Sequence, residues 1–532
     1  MQIIIPMSGV GQRFIDAGYR DPKPLIPVDG KPIIEHVVNM YPGEDRVLFI
    51  CNQEHLTHTR LAFELKRIKS LATVVPIAPH KLGPVYAVRQ AFDHILDDEP
   101  CIVSYCDFSV SWDYQHFKKV MRDKNPDGCI TAYKGFHPHT LGSTHYAYMR
   151  WDKHNEMLEI REKEAFTAHR MDEYASAGSY YFKSGKILKK YFQACLDRQI
   201  SKNGEFYVSL VYNLLKQDGL SVYIYELDQF LQWGTPEDLR EYQLWSDYFK
   251  SKAAWEAAHQ TRPVQARTVV LPMAGRGQRF ADEGYVLPKP LVPVDGQAMV
   301  VKAVEALPKS SSYCFVCLQS LYAEGSVPDV LRQNFLHARF VPLDQVTEGQ
   351  ACTVLLGTQA LTDDERCQPL LIGACDNGLV WDEDTFENLL KRQQPDAVLL
   401  TAKAHPAALR HPHAYGWVKA DAEGRALAVQ CKQSFQGDLK DQHAMTGAFY
   451  FKNTDTFEVA AKAMIEKNIR VNNEFYVDLV FSELLAQGKR VWVFDVAHYV
   501  CWGTPNDVRT YEYWQRYFSK SAKNQVLTEA KG

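Results

Sequence analysis

A short loop that combines glycines with a cationic side chain occurs twice in the chain. Its first copy is Ser8-Gly-Val-Gly-Gln-Arg13, which is followed by Lys23 in Pro-Lys-Pro-Leu, and its second copy begins at Ala274. Each copy follows a short β-branched run, so a buried strand opens into a loop whose backbone N–H groups can face an anion. An arginine fork and a lysine point charge close behind suit a polyphosphate. The pattern predicts a site that handles phosphate groups.

The loop differs from two well-known nucleotide loops. A dinucleotide fold would place a third glycine where the chain has Phe14 and Phe280, and a Walker loop would continue into Gly-Lys-Ser or Gly-Lys-Thr. The combined pattern is Gly-x-Gly-x-Arg-Phe followed by Pro-Lys-Pro-Leu, which is far more specific than Gly-x-Gly alone. The phosphate site is therefore predicted to serve another reaction.

The chain is an internal duplication. Met7 and Met273 begin the two loops 266 positions apart, and Tyr207 and Tyr476 lie 269 positions apart in a second repeated motif. We expect two domains, residues 1–250 and 268–532, joined by a linker of residues 251–267 rich in alanine and glutamine. Whatever chemistry one half performs, the other half has the parts to perform as well.

In each half, predicted strands first alternate with helices and then follow one another directly. Alternation predicts parallel βαβ units in an α/β fold, and the region after Trp112 predicts an antiparallel extension with few helices. We also predict one long helix over 53–68 and another over 205–215. The Thr235-Pro236 pair predicts a helix start, with the hydroxyl as N-cap.

Composition excludes several classes of partner. The formal net charge of −4 and the pI near 6.5 argue against a nucleic-acid-binding surface. No apolar run approaches a membrane span of about 20 residues, and no signal-peptide pattern precedes the first strand. The twelve cysteines lie mostly in apolar runs, which predicts a reduced cytoplasmic protein. Cys314 and Cys317 fit a core strand rather than half of a metal motif.

The loop pattern resembles that of the sugar-phosphate nucleotidylyltransferases, the pyrophosphorylase family that makes nucleoside-diphosphate sugars. The resemblance covers both halves and is closest to the polysaccharide-biosynthesis subgroup, through Pro-Met-Ala-Gly at Pro272 and Trp-Gly-Thr-Pro at Trp233 and Trp502. It implies two tandem Rossmann-like (GT-A-like) domains, each a mostly parallel mixed sheet flanked by helices. It also implies a cytoplasmic enzyme that uses Mg²⁺, a nucleoside triphosphate and a phosphorylated small-molecule acceptor, and it leaves a homo-oligomer open.

The resemblance implies a role for each matching residue. The catalytic cations would be Arg13, Lys23, Arg279 and Lys289. The nucleotide would contact Met7, Ser8, Gly9, Gly11, Gly83, Met273, Ala274, Gly275, Gly277 and Gly349. The phosphate and sugar of the acceptor would contact Lys163, Glu205, Lys432 and Glu474. Magnesium would bind Asp107 and Asp376.

The implied reaction is attack of a sugar 1-phosphate oxygen on the α-phosphorus of the nucleotide, with pyrophosphate as leaving group. Positive charge and a metal would bring two polyanions together, and an ionised phosphate needs no strong general base. Many relatives carry an aspartate as second magnesium ligand where this chain has Gln232 and Cys501. Neither is a hard anionic ligand, so one protein carboxylate with phosphates and waters is expected to hold the metal.

Alternatives to this reaction stay open at this stage. The acceptor could be a phosphorylated alcohol other than a sugar, and a nucleotide-sugar-dependent glycosyltransferase is a further candidate, although those usually carry Asp-x-Asp. The halves differ around Gly83 and Gly349, which predicts different substrates or one purely regulatory half. The pairs at His137 and His411 are interpreted as loop histidines, because no further ligands stand at zinc spacing.

Overall fold

The computed structural model describes residues 1–143 and 145–529, with side chains up to residue 520. The chain divides into two compact units, Met1–Ser246 and Asp247–Gly532. Within the described residues each unit contains one nine-stranded mixed sheet. The sheets are parallel on one side and largely antiparallel on the other, which confirms the predicted α/β fold with an antiparallel extension.

The sheet of the first unit is built around its first strand, Gln2–Met7. That strand pairs in parallel with Val47–Asn52 and Cys101–Ser104, and Thr73–Ile77 lies outermost. The other strands are Gly128–Tyr133, Ala147–Trp151, Met157–Glu162, Tyr174–Phe182 and Val222–Glu226. Carboxyl ends of parallel strands meet at one edge of a sheet, so the loops after Met7 and Ser104 open on the same side.

Three helices of the first unit share an apolar core with this sheet, namely Pro84–Arg89, Gly185–Asp197 and Val208–Gln217. Its other helices are Gln12–Asp16, Ile33–Asn39, Gln53–His58, Leu61–Ile68, Tyr114–Lys124 and Pro236–Gln260. Single 3₁₀ turns are Lys23–Leu25, Phe92–His94, Pro138–Leu141 and Arg170–Asp172. Short two-stranded ribbons join Pro27–Val28 to Lys31–Pro32 and Phe108–Ser111 to Gln229–Gln232.

The second unit repeats this plan. Its sheet strands are Gln265–Met273, Ser310–Leu318, Arg339–Leu343, Leu370–Ile372, Ala397–Lys403, Trp417–Ala420, Ala426–Gln430, His443–Phe451 and Val491–Asp495. Its ribbons join Pro293–Val294 to Gln297–Ala298 and Asn377–Val380 to His498–Cys501. Cys314 and Cys317 are buried in a core strand, as predicted.

The helices of the second unit follow the same order. They are Gln278–Asp282, Met299–Glu305, Gln319–Ala323, Ser326–Asn334, Gln350–Gln359, Asp363–Cys367, Glu383–Gln393, Pro406–Arg410, Thr454–Glu466, Val477–Ala486 and Pro505–Glu529. The 3₁₀ turns are Lys289–Leu291, Pro412–Ala414 and Leu439–Asp441. No helix in the described part of the chain has both the length and the apolar character that a membrane crossing requires.

Two helix predictions were wrong in detail. The helix predicted over 53–68 breaks at Thr59, whose backbone is extended at φ −131°. The Thr59 hydroxyl then accepts a hydrogen bond from the backbone N–H of Leu61, which starts the second helix. The helix predicted from Glu205 begins only at Val208, because Tyr207 is extended and the Phe206 backbone is hydrogen bonded elsewhere. Its N–H donates to the carbonyl of Leu82, and its carbonyl accepts from the N–H of Val85.

The expectation of few helices within the antiparallel extension is confirmed, since the described residues between Gly128–Tyr133 and Tyr174–Phe182 contain only two 3₁₀ turns besides strands. Two helices that flank the extension were not predicted. Tyr114–Lys124 and Gly185–Asp197 are both amphipathic and bury their apolar sides. Each has a capping side chain that the sequence displays, since Asp113 accepts from the N–H of His116 and Ser184 from the N–H of Ile187. Residues 251–260 of the predicted linker are helical, and strand Gln265–Met273 begins before that linker ends.

Candidate active site

A cleft of about 430 Å³ opens in the first unit at the carboxyl ends of its parallel strands. The predicted site residues that line it are Gly11, Arg13, Lys23, Asp107, Lys163 and Glu205. They come from four separate stretches of the chain, so the fold brings the predicted phosphate and acceptor residues into one place. Met7, Ser8, Gly9 and Gly83 do not line this cleft.

The glycine loop is held in shape from both sides. Gly11 has a left-handed backbone at φ +75°, which a residue with a Cβ adopts only with strain, and it starts helix Gln12–Asp16. Phe14, where a dinucleotide loop would have glycine, is buried against Tyr19 with ring centroids 5.2 Å apart. The ring of Phe14 also lies 5.4 Å from the ammonium of Lys23. The phenylalanine therefore anchors the loop beneath the cation.

Each unit contains an ion pair between the lysine of Pro-Lys-Pro-Leu and the aspartate predicted to bind the metal. Lys23 Nζ lies 2.6 Å from Asp107 Oδ2 and also donates to the carbonyl of Gly234 at 3.0 Å. In the second unit Lys289 Nζ lies 2.5 Å from Asp376 Oδ2. Burial lowers the pKa of Lys289, but Asp376 and neighbouring groups outweigh it and leave the pKa raised. Both lysines thus direct their ammonium groups at the predicted metal ligand.

A second carboxylate, which the sequence analysis missed, lies beside each of these pairs. A Cβ added at Gly234 would be 3.6 Å from Asp107 Oδ2 and 3.9 Å from Asp238 Oδ2. Asp238 accepts from the backbone and hydroxyl of Thr235, and burial raises its pKa to about 6. Asp507 occupies the matching place in the second unit, where burial likewise raises its pKa. The predicted helix start at Thr235-Pro236 is confirmed, and the signal that went unused was the aspartate in the repeated Trp-Gly-Thr-Pro-x-Asp.

The donor set fits magnesium through one carboxylate in each unit. Asp107 or Asp376 with phosphate oxygens and waters is the kind of shell that Mg²⁺ accepts. The amide of Gln232 is already engaged by Asp238 and Tyr146, and burial raises the pKa of the Cys501 thiol far above its usual range. Within the described residues no three His, Cys, Asp or Glu side chains come together to hold a metal.

The predicted acceptor lysines lie just after strands and contact tyrosines. Lys163 has φ +57° and donates to the Tyr207 hydroxyl at 2.6 Å, and that hydroxyl in turn contacts Glu205. Lys432 has φ +58° and its ammonium lies 5.2 Å from the ring of Tyr476. The left-handed backbone turns each lysine out of its strand direction. Lysine, tyrosine and glutamate therefore form one polar wall.

Glu162 is a further residue that the sequence analysis did not single out. It lines the cleft, is only 7% exposed and accepts a hydrogen bond from Ser209 Oγ at 2.5 Å. Burial raises its pKa to about 6. Its inward position follows from the alternation along strand Met157–Glu162, where Ile160 is buried as well.

The two glycines that the resemblance assigns to the nucleobase, Gly83 and Gly349, lie so close to another backbone segment that a side chain would not fit. Gly83 has φ +86°, and a Cβ there would lie 2.7 Å from the N and 2.8 Å from the O of Phe206. Gly349 has φ +138° and its Cβ would lie 2.6 Å from the O of Phe475. The segment that the resemblance assigns to the base is thus fastened next to the acceptor residues Glu205 and Glu474. Contact with a nucleobase stays a prediction.

The histidines are structural. His137 is buried, its Nε2 lies 3.0 Å from the carbonyl of Phe230, and burial lowers its pKa to about 3. In the second unit the matching contact is made by His405, with the carbonyl of Tyr499 at 3.0 Å. The interpretation of the His137 and His411 pairs as loop histidines is confirmed, since both pairs lie at 3₁₀ turns, Pro138–Leu141 and Pro412–Ala414.

Comparison with known families decides the identity of these units. A family model described as nucleotidyl transferase matches residues 2–262 and, separately, residues 268–515. The chain belongs to this family. It is therefore a nucleotidyltransferase enzyme with two tandem copies of the nucleotidyl transferase domain.

Solved structures of several nucleotidyl transferases resemble one copy each. A nucleoside-diphosphate-sugar pyrophosphorylase from Vibrio cholerae matches at 19% identity and TM-score 0.38, over 46% of this chain and 99% of its own. A putative glucose-1-phosphate thymidylyltransferase from Bacillus anthracis matches at 16% and 0.38, over 46% and 94%. An inositol-1-phosphate CTP transferase from T. maritima matches at 16% and 0.36, over 47% and 95%. No curated protein matches the sequence.

Proposed function

We propose that each unit transfers a nucleoside monophosphate from a nucleoside triphosphate to a sugar 1-phosphate and releases pyrophosphate. The observation that carries the proposal is the shared cleft of the first unit, lined both by Lys23 with Asp107 and by Lys163 with Glu205. A phosphate-handling ion pair and a polar wall within one cavity suit the joining of two phosphate esters.

The side chains divide the work. The loop amides with Arg13 and Lys23 would bind the triphosphate and stabilise charge that develops on the departing pyrophosphate. Lys163 would hold the acceptor phosphate, and Glu205 with Tyr207 offers hydrogen-bond partners to sugar hydroxyls. Asp107 and Asp376 would hold Mg²⁺, which would offset the negative charge of the phosphates. No residue needs to act as a strong base, because the attacking phosphate is already ionised.

The cellular role proposed is synthesis of precursors for cell-surface polysaccharide, in the cytoplasm. Its support is the subgroup resemblance in Pro-Met-Ala-Gly and Trp-Gly-Thr-Pro, together with cysteines that are free throughout the described residues. A homo-oligomer is compatible with this role.

The experiment is a pyrophosphate-release assay of the full chain. The common nucleoside triphosphates are each combined with a pool of sugar 1-phosphates, with and without Mg²⁺. We expect release that depends on a sugar 1-phosphate and on the metal. Pyrophosphate release that occurs only with phosphorylated alcohols other than sugars would show that the acceptor is not a sugar 1-phosphate. Transfer of a sugar from a nucleotide sugar, with no release of pyrophosphate, would overturn the proposal. Nucleotide binding without turnover in one unit would make that unit regulatory.

A further inference from the structure

Each unit has a buried carboxyl beside its acceptor lysine, but the two carboxyls come from different positions in the chain. In the first unit Glu162 precedes Lys163 and accepts from Ser209. In the second unit the residue before Lys432 is Cys431, and the residue matching Ser209, 269 positions on, is Asp478. The carboxyl thus lies at the end of a strand in the first unit and on the helix Val477–Ala486 in the second. Its hydrogen-bond donor lies on a helix in the first unit, as Ser209, and just after a strand in the second, as Cys431.

A third position changes together with this exchange. The residue matching Ala147, which lines the cleft of the first unit, is Gly416. A Cβ on Gly416 would overlap Asp478 Oδ2 and lie 2.9 Å from Asp478 Cγ. The relocated carboxyl therefore occupies the space that the alanine methyl group fills in the first unit. The three differences at Gly416, Cys431 and Asp478 therefore depend on one another and are not independent substitutions. We call these three residues the rebuilt corner of the second unit.

The rebuilt corner retains a buried carboxyl, which is unfavourable for the stability of the fold. Asp478 is 9% exposed and Glu162 is 7% exposed, and burial raises the pKa of both. Lys432 and the Cys431 thiol favour the charged form of Asp478, as Ser209 and Lys163 favour that of Glu162. Burying a carboxyl destabilises a fold, whereas an apolar pair at the same place would not. Both units keep the carboxyl, which points to a ligand that uses it.

We propose that Asp478 selects the acceptor of the second unit by hydrogen bonding to one of its hydroxyls. Asp478 lies beside Cys431, in the space that Gly416 leaves open. Because Glu162 occupies a different position in the first unit, it would contact a different hydroxyl of the acceptor there. This inference rests on the proposed function. The acceptor class is a phosphate ester with several hydroxyls, and the two units differ in which hydroxyl the carboxyl engages. A site built to hydrogen-bond a hydroxyl discriminates strongly against analogues that lack or misplace it.

The test transplants the corner of the first unit into the second. The full chain carries Lys23→Ala to silence the first unit, and the second unit receives Gly416→Ala, Cys431→Glu and Asp478→Ser. Acceptor binding is measured by calorimetry with nucleotide present, and turnover by pyrophosphate release, over a panel of sugar 1-phosphates and their deoxy analogues. We expect the acceptor ranking to move toward that of a Lys289→Ala chain, with the ratio of two discriminating acceptors changing at least tenfold. An unchanged ranking would overturn the proposal.

A milder variant covers the case in which the triple variant does not fold. Asp478→Asn keeps the side-chain volume and should weaken acceptor binding about tenfold or more while nucleotide affinity stays within about twofold. Equal loss of both affinities, no loss of either, or a second unit that binds no acceptor even with its native Asp478 would each overturn the inference. Failure of the proposed function itself is distinguishable, because the wild-type chain would then release no pyrophosphate with any acceptor.

Discussion

The two units agree where phosphates are expected and differ where a base and an acceptor are expected. The ion pairs Lys23–Asp107 and Lys289–Asp376 have nearly the same length, 2.6 and 2.5 Å. Gly11 and Gly277 start the same short helix with the same left-handed backbone. Phosphate chemistry is set by charge and geometry that tolerate little change, so duplication has left this part intact.

The cleft floor shows the contrast. In the first unit a Cβ on Gly178 would meet the Phe108 ring at 3.1 Å, and in the second unit a Cβ on Gly447 would meet Asn377 Nδ2 at 3.0 Å. The Asn377 amide donates to the carbonyl of Thr446 at 2.5 Å and so replaces an apolar floor by a polar one. A polar floor penalises ligands that leave it unpaired. The difference supports the proposal that recognition diverged while the reaction was kept.

The largest effect should come from removing both lysines that we propose to be catalytic, Lys23 and Lys289. The double variant Lys23→Ala, Lys289→Ala should lose about 10²–10³-fold or more in pyrophosphate release, because each lysine supplies charge at the phosphates. The matched control is Lys31→Ala, an exposed lysine that only pairs with Glu35 at 3.8 Å. Residual turnover above a tenth of wild type would contradict the proposed role of these two lysines at the phosphates.

The next effect concerns the two fastening glycines. Gly83→Ala and Gly349→Ala should each lower the free energy of unfolding by about 3 kcal/mol, since the backbone is left-handed and a Cβ meets Phe206 or Phe475. Gly9→Ala and Gly275→Ala are controls, because nothing lies within 4 Å of an added Cβ. Calorimetric melting of all four variants measures this. Melting temperatures of the Gly83 and Gly349 variants that match their controls would contradict the close backbone approach.

A smaller effect should appear in the pH dependence of stability. Burial raises the pKa of Glu162 to about 6 from 4.5, so its neutral form favours the fold and that stabilisation is lost as pH rises from 4.5 through 6. Glu162→Gln should remove this loss and gain about 2 kcal/mol relative to wild type between pH 4.5 and pH 8. Asp478→Asn should change stability in the same direction. Denaturant unfolding at the two pH values decides, and a pH-independent difference would contradict burial as the cause.

The smallest effect should distinguish the two loops from each other. Ser8 Oγ lies 3.1 Å from His80 Nε2, which ties the phosphate loop of the first unit to its predicted base segment. Ser8→Ala should cost about 1 kcal/mol, seen as roughly a fivefold rise in KM for the nucleotide of the first unit. Ala274→Ser should change nothing, because Val346 stands where the histidine would be. A change in KM for the nucleotide of the second unit on Ala274→Ser would contradict the claim that only the first unit uses this contact.

The parts of the fold that the sequence predicts are those encoded locally or by the repeat. Strand and helix alternation predicted the parallel half, and the family resemblance named Lys23 and Asp107, which the structure places 2.6 Å apart. What failed depends on contacts between distant segments. Glu205 looked like a helix start, but the backbone of Phe206 pairs with the segment around Gly83 and delays the helix. Asp238 was hidden because a side chain that caps a helix has the same local signal whether or not it faces a cleft.

The most direct test of the central claim assays the single variants Lys23→Ala and Lys289→Ala, each against the full panel of nucleoside triphosphates and acceptors. Each variant leaves one unit competent, so its substrate profile belongs to that unit. The account predicts two different profiles whose sum reproduces that of the wild-type chain. Two identical profiles with equal loss of activity would contradict the claim that a shared phosphate site serves two different recognition surfaces.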